Sequence, residues 1–199
     1  MRNVCMVGVA LVVMASAAVA GDCSCTADKA ANGWCGECKV GHVSGVKLTS
    51  EKLYAALQGE KVDAESIKCP GCKSAFAKHE VCEGCKVHFA GDQGYKSPVA
   101  YHLARGKVID KAAADMKCEG CKKAAEAGHG WCEDCKAGMV ANRAYKNKKN
   151  YEQAVEAQTI LAKANEAAGR CDTCAVAMVT DGKCEACSVN FKGGKKSDG

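Results

Sequence analysis

The spacing of its cysteines constrains this chain more than any other feature of the sequence. Of 17 cysteines, 16 fall into four groups of four. Within each group, two close pairs are separated by nine residues, or by ten in the third group. The groups are Cys23, Cys25, Cys35 and Cys38; Cys69, Cys72, Cys82 and Cys85; Cys118, Cys121, Cys132 and Cys135; and Cys171, Cys174, Cys184 and Cys187. Self-similarity of this kind is typical of a repeat protein.

Each group of four thiols suits one metal ion. Zinc prefers four ligands in a tetrahedron, and cysteine thiolates are among its usual ligands. A C-x-x-C pair folds into a knuckle whose two sulfurs face one ion, and a tight hairpin between two knuckles completes the site. We therefore predict that all 16 grouped cysteines bind metal, with about four Zn²⁺ ions per chain.

The groups resemble the short zinc ribbons and the knuckles of rubredoxins. The segment from Cys69 to Cys72 reads C-P-G-C, which matches the C-P-x-C form of those ribbons, and Trp34 and Trp131 each directly precede a third cysteine. The resemblance implies metal-binding β-hairpin modules and no particular activity. The sequence departs from the family in placing lysine after five of the pairs, where glycine is usual.

Disulfides are the main alternative to metal. In an oxidising compartment 16 thiols would not persist unless they were metallated or paired. A bridge within one C-x-x-C pair closes a very small loop and constrains little of the unfolded chain. Metal binding therefore explains the spacing better, and a disulfide-rich secreted protein without metal stays open as an alternative.

Three redox functions also use C-x-x-C pairs. Thioredoxin-like chemistry needs a strand before the C-x-x-C pair and a long helix after it, and no such alternation is evident. Haem attachment normally needs C-x-x-C-H, and no histidine directly follows any pair. Haem attachment at C-x-x-C-K would fit five pairs. Haem would not require the constant spacing between pairs, however, so the spacing disfavours it. Iron in rubredoxin-like sites would make an electron carrier, although few aromatic residues are available to shield it.

The N-terminus is typical of a secretory signal. Arg2 precedes an apolar run over residues 4–19, and Ala18, Val19 and Ala20 form an A-x-A cleavage site. We expect residues 1–20 to be a signal peptide. The mature protein would then be periplasmic or secreted, with no stable membrane span.

The segments between the groups repeat as well. Twelve residues after the last cysteine of each of the first three groups stands an N-cap residue type, namely Ser50, Ser97 and Asn147. Four residues after each cap is a tyrosine, namely Tyr54, Tyr101 and Tyr151. Glycines at 59 and 106, nine residues after their caps, suit helix C-termini. The third linker has no such early glycine, so its helix should continue to about Ala168. We predict a helix after each cap, packed onto its ribbon through the tyrosine.

These observations predict a small, metal-stabilised α+β fold, in which four zinc-ribbon-like modules are joined by short helices. The ribbons are residues 21–38, 69–85, 118–135 and 171–191. The helical linkers are residues 39–68, 86–117 and 136–170, with weaker helical stretches at 63–68 and 109–117. Residues 192–199 are predicted to be a disordered tail.

The formal net charge of +5 does not indicate a nucleic-acid partner. A zinc ion with four thiolates carries about −2, so four sites would reverse the sign of the total. Neither a phosphate loop nor an H-E-x-x-H motif is present, and saturated sites offer a substrate no open position. We therefore expect a scaffold for an unidentified protein partner and not an enzyme, with metal sequestration or resistance as the alternative. The sequence does not indicate an oligomeric state.

Overall fold

Short strands and helices alternate throughout the part of the chain that the structure describes. This structure is a computed structural model, and it describes residues 33–109 and 112–198. The strands are β1 Gly33–Cys35, β2 Val40–Val43, β3 Val46–Leu48, β4 Glu60–Lys61, β5 Val81–Cys82, β6 Val87–Ala90, β7 Gln93–Tyr95, β8 Lys107–Val108, β9 His129–Cys132, β10 Ala137–Val140, β11 Arg143–Tyr145, β12 Lys183–Cys184, β13 Val189–Lys192 and β14 Lys195–Ser197. The helices are α1 Glu51–Ala56, α2 Pro70–Lys78, α3 Pro98–Ala104, α4 Glu119–Glu126, α5 Lys148–Ala168 and α6 Asp172–Thr180. The predicted signal peptide and Cys23 and Cys25 lie outside the described residues.

The strands form four small antiparallel sheets, one for each cysteine group. The orders are β1-β2-β3, β4-β7-β6-β5, β8-β11-β10-β9 and β12-β13-β14. We call each sheet with its helices a unit and number the units 1 to 4 along the chain. Unit 1 contains α1, unit 2 contains α2 and α3, unit 3 contains α4 and α5, and unit 4 contains α6. Strands β4 and β8 lie in the predicted helical linkers. Strand β4 nevertheless pairs with β7, and β8 pairs with β11. The linkers are therefore built into the sheets.

The three predicted helix caps are confirmed. The hydroxyl oxygen of Ser50 accepts from the backbone N–H of Leu53 at 3.1 Å, and that of Ser97 accepts from Ala100 at 3.1 Å. The side-chain oxygen of Asn147 caps α5 by accepting from the N–H of Asn150. Helix α5 continues to Ala168, as the lack of an early glycine in this linker predicts.

The glycines at the ends of α1 and α3 have a different role from the one predicted. Neither Gly59 nor Gly106 has the positive φ of a left-handed helix cap. Each instead lies against a tyrosine ring of the next unit. A Cβ on Gly59 would be 2.7 Å from the ring of Tyr95, and one on Gly106 would be 2.6 Å from the ring of Tyr145. These glycines let consecutive units approach closely.

Three predicted segments differ from the structure. Within the described residues of the stretches at 63–68 and 109–117, only single 3₁₀ turns are helical, at Ala64–Ser66 and Ala113–Asp115. The prediction of a disordered tail is wrong, because strand β14 pairs with β13. Gly193 and Gly194 both have positive φ, so they form the tight turn of a hairpin, a conformation that glycine adopts without steric cost.

One apolar core joins all four units. It includes Leu53 of unit 1, Leu103 of unit 2, Leu161 of unit 3 and Val179 of unit 4. Helix α5 contributes buried alanines at its centre, and such small side chains let neighbouring helices pack closely. Alanine and leucine side chains together build this continuous core. None of the described helices is long and apolar enough to cross a bilayer.

Candidate metal centres

Three groups of four cysteines converge in units 2, 3 and 4. Within each group, every Sγ atom lies within 4.8 Å of every other. The groups are Cys69, Cys72, Cys82 and Cys85; Cys118, Cys121, Cys132 and Cys135; and Cys171, Cys174, Cys184 and Cys187. Twelve of the 16 predicted ligands are therefore brought together in sets that could each hold one ion.

The first pair of each cluster lies at the N-terminus of a helix, which the sequence did not lead us to expect. Cys69, Cys118 and Cys171 are the N-cap residues of α2, α4 and α6. The second cysteine of the pair then falls in the first helical turn. In unit 4 the backbone N–H of Cys174 donates to Sγ of Cys171 at 3.4 Å. The partial positive charge of a helix N-terminus stabilises thiolates and so complements the cysteine pair.

The second pair of each cluster forms the predicted knuckle at a β-hairpin. Cys82 ends β5 and Cys85 lies in the turn before β6. The residue after the last cysteine has positive φ in all four units, at Lys39, Lys86, Lys136 and Ser188. Lysine therefore adopts a left-handed conformation at three of these turns, and serine adopts it at the fourth.

The distances between sulfurs fit a tetrahedral zinc site. Sγ of Cys69 lies 3.7 Å from Sγ of Cys85, and Sγ of Cys118 lies 3.5 Å from Sγ of Cys132. In unit 4, Sγ of Cys171 lies 3.8 Å from Sγ of Cys184. A tetrahedron with Zn–S bonds of about 2.3 Å has edges of about 3.8 Å, whereas a disulfide bond is about 2.0 Å long.

Two glycines make room for the sulfurs. A Cβ on Gly71 would lie 3.0 Å from Sγ of Cys82, and one on Gly120 would lie 2.8 Å from Sγ of Cys132. Each glycine immediately precedes the second cysteine of its pair. Thr173 occupies this position in unit 4. The shared glycine was visible in the sequence, but only the geometry gives it a role at the metal centre.

The thiols within a cluster differ in acidity. The backbone N–H three residues further on is the largest cause that lowers the pKa of Cys69, Cys118 and Cys171 to about 7. Burial raises the pKa of Cys72 and Cys121. Zinc binding requires the thiolate form. One thiol in each cluster is therefore ready to bind metal near neutral pH.

Exposure also differs within a cluster. The third cysteines, Cys82, Cys132 and Cys184, are buried beneath the hairpins. The fourth cysteines, Cys85, Cys135 and Cys187, are exposed. Each cluster is thus closed on its protein side and open to solvent at one sulfur.

The structure describes only two of the four ligands predicted for the first site, Cys35 and Cys38. Cys35 is a free thiol, and its Sγ accepts from the backbone N–H of Cys38 at 3.5 Å. Cys38, however, is disulfide-bonded, and a sulfur in a disulfide is not available as a thiolate ligand. Cys23 and Cys25 lie outside the described residues. The expected number of metal ions is therefore corrected from four to about three.

Aromatic rings join the hairpins to the capped helices. The ring centroids of Trp34 and Tyr54 are 5.5 Å apart in unit 1, and those of Trp131 and Tyr151 are 5.6 Å apart in unit 3. In unit 2 the ring of Tyr101 instead lies 5.1 Å from that of His88. The predicted packing role of the three tyrosines is confirmed, and it ties each knuckle to the shared core.

Comparison with protein-family models, curated proteins and solved structures gave no significant match. The assignment therefore depends on geometry. The three clusters are compatible with zinc-ribbon-like sites in their cysteine number and spacing. Four thiolates are the number that would complete the tetrahedral coordination of a structural zinc ion.

Proposed function

We propose that this chain is an exported zinc-binding repeat protein whose four-cysteine sites are structural and whose surface serves protein interaction. The convergence of three sets of four sulfurs, at spacings that suit a tetrahedral zinc ion, carries the proposal. The signal-like N-terminus supports export. Because four thiolates complete the coordination of zinc, a role in stability is favoured over catalysis.

Zinc would add a link between elements of a unit that, beside the cluster, meet through few buried apolar side chains. In unit 3, for example, the cluster joins the start of α4 to the β9–β10 hairpin. Apolar burial beside it is confined to a small satellite cluster that includes Ala124 and Met139. Zinc binding to such small modules contributes about 10–16 kcal/mol of apparent free energy at neutral pH. The ion is therefore expected to dominate the local stability of each unit.

The proposal is tested on protein isolated from the native envelope without added reductant. Metal content by mass spectrometry, free thiols and intact mass are measured on the same sample. We expect about three zinc ions per chain. Removing two ligands with Cys121→Ser and Cys132→Ser should lower the zinc content by one ion. The matched control, Cys35→Ser, should leave it unchanged. A metal-free chain whose mass shows its clustered thiols paired as disulfides would refute the proposal.

Metal sequestration is the second candidate, and the exposed fourth cysteine of each cluster favours it. An incoming thiol or chelator can approach the ion beside Cys85, Cys135 or Cys187 without unfolding the unit. Sequestration predicts rapid exchange with isotopically labelled zinc and retention of α5 after metal removal. The structural proposal predicts slow exchange and loss of the sheets on chelation. Circular dichroism and isotope exchange on the full chain distinguish the two.

A further inference from the structure

Three buried side-chain atoms among the described residues lack a hydrogen-bond partner. They are Nδ1 of His88, Nδ1 of His102 and Oε1 of Gln153. A buried polar atom without a partner costs about 1–3 kcal/mol, so native structures rarely contain one without a reason. All three lie in the region where units 2, 3 and 4 meet.

The three atoms belong to residues that line two adjoining cavities. His88 lines a cleft of about 710 Å³ between the hairpins of units 2 and 4. His102 and Gln153 line a smaller cavity of about 160 Å³ beneath α5. Pro98 and Asp181 line both cavities. The cleft has the size of a typical small-molecule site, and the ring of Tyr101 packs between the rings of both histidines at 5.1 Å.

The larger cleft is rich in positive charge. Four lysines line it, and they are Lys86, Lys96, Lys183 and Lys192. Lys86 and Lys183 form ion pairs with nearby glutamates, at 2.7 Å and 3.0 Å. Among the described residues, Lys96 and Lys192 have no acidic partner within 4.0 Å. Two acidic residues also line the cleft. Glu83 is the partner of Lys86, and one carboxylate oxygen of Asp181 accepts from the backbone N–H of Gly193.

We propose that these cavities form a binding site for a small organic anion at the junction of units 2, 3 and 4. The phosphate or carboxylate group of the ligand lies in the larger cleft beside Lys96 and Lys192. Its polar body reaches the smaller cavity and supplies hydrogen bonds to His102 and Gln153. None of the clustered cysteines lines either cavity.

The test uses the zinc-loaded full chain and long-range ¹H–¹⁵N spectra of the histidine rings. Glycerol 1-phosphate and glycerate are titrated separately at constant ionic strength, so that phosphate and carboxylate recognition are distinguished. At least one of them should shift the His88 and His102 ring signals to saturation. Inorganic phosphate should bind more weakly than glycerol 1-phosphate, because it cannot reach the smaller cavity.

Two variants locate the site. Lys96→Gln with Lys192→Gln should raise the Kd about tenfold, because each ammonium contributes somewhat under 1 kcal/mol at a partly exposed site. The control, Lys52→Gln with Lys163→Gln, removes two exposed lysines that line neither cavity and should leave the Kd unchanged. Gln153→Leu keeps the side-chain size and should abolish the advantage of glycerol 1-phosphate over inorganic phosphate.

Three results would overturn the proposal. Shifts that grow linearly with concentration would indicate counter-ion accumulation around the protein. Equal Kd values in the cleft and control variants would place binding elsewhere. Saturation by neither anion would mean that the unpartnered atoms are satisfied by water alone. Thermal unfolding of each variant, measured in parallel, ensures that a changed Kd does not come from a misfolded chain.

Discussion

The ring of Tyr145 lies so close to Gly106 that a Cβ at position 106 would come within 2.6 Å of the ring carbon Cζ. The hydroxyl group of Tyr145 also donates to the carbonyl oxygen of Leu103 at 2.8 Å. Tyr145, the last residue of β11 in unit 3, therefore packs on the C-terminal end of α3 in unit 2. Tyr95 and Gly59 repeat the ring contact between units 1 and 2.

Replacing Gly106 by alanine should destabilise the protein by about 1–3 kcal/mol, because the new methyl group must displace a buried ring or the backbone of β11. Urea unfolding of the zinc-saturated protein measures the change. Gly84→Ala is the matched control, since nothing lies within 4 Å of a Cβ there, and Ala186 occupies the equivalent position in unit 4. Equal effects of the two substitutions would contradict the packing argument.

The left-handed lysines lead to a second prediction. Lys136 has φ of 47°, a conformation that costs a side-chain-bearing residue about 1 kcal/mol relative to glycine. Lys136→Gly should therefore raise the free energy of unfolding by up to about 1 kcal/mol. Lys123→Gly makes the same chemical change inside α4 and should lower it by a similar amount. The free energies of unfolding of both variants are obtained from denaturant unfolding at saturating zinc. A loss of stability in Lys136→Gly would show that the left-handed lysine is not strained.

Local signals in the sequence predicted the capped helices and the cysteine grouping. Ser50 and Ser97 cap as predicted, because an N-cap hydrogen bond depends on residues within one turn. The start of α2 at Cys69 was missed, because metal-ligand spacing and a helix N-terminus share the same few residues. Tertiary contacts also escaped prediction. Nothing in the local sequence of Gly106 indicates that Tyr145 will pack on it.

The hydroxyl group of Ser97 supports a third prediction. It accepts from the N–H of Ala100 and also donates to the carbonyl oxygen of Val179, at 2.6 Å, in unit 4. Ser97→Ala should cost about 2–3 kcal/mol, because it removes a cap and leaves a buried carbonyl without this donor. Ser50→Ala removes only the cap interaction and should cost about 1 kcal/mol. Thermal and urea unfolding of both variants measure the difference, and equal losses would show that the bond between units contributes nothing.

A fourth prediction concerns the pH dependence of stability. Burial, together with the nearby Arg105 and His88, lowers the pKa of His102 from 6.5 to about 4. Below pH 6.5 the unfolded chain binds the proton and the folded chain does not, so stability falls as the pH decreases towards 4. Between pH 6.5 and 5.5 the loss from this group should be roughly 1 kcal/mol.

The contribution of His102 is isolated by comparing pH slopes of zinc-saturated proteins in urea. The slope between pH 6.5 and 5.5 should decrease in His102→Asn. The control, His129→Asn, replaces an exposed histidine and should leave the slope close to that of the wild type. Parallel slopes for the wild type and His102→Asn would mean that this imidazole does not titrate differently in the folded and unfolded chains.

The glycine beside the metal cluster of unit 3 gives the last prediction. A Cβ on Gly120 would lie 2.8 Å from Sγ of Cys132, which is buried and cannot move outward. Gly120→Ala should therefore weaken metal binding at this cluster alone, by about tenfold or more, since misplacing one ligand of a tetrahedral set affects the whole site. Competition with a zinc chelator measures the affinity, and the fluorescence of Trp131, adjacent to Cys132, reports on this unit. Glu119→Gln, at the neighbouring exposed position, is the control. Full zinc affinity in Gly120→Ala would contradict this prediction, because it would show that Sγ of Cys132 can move away from the new methyl group.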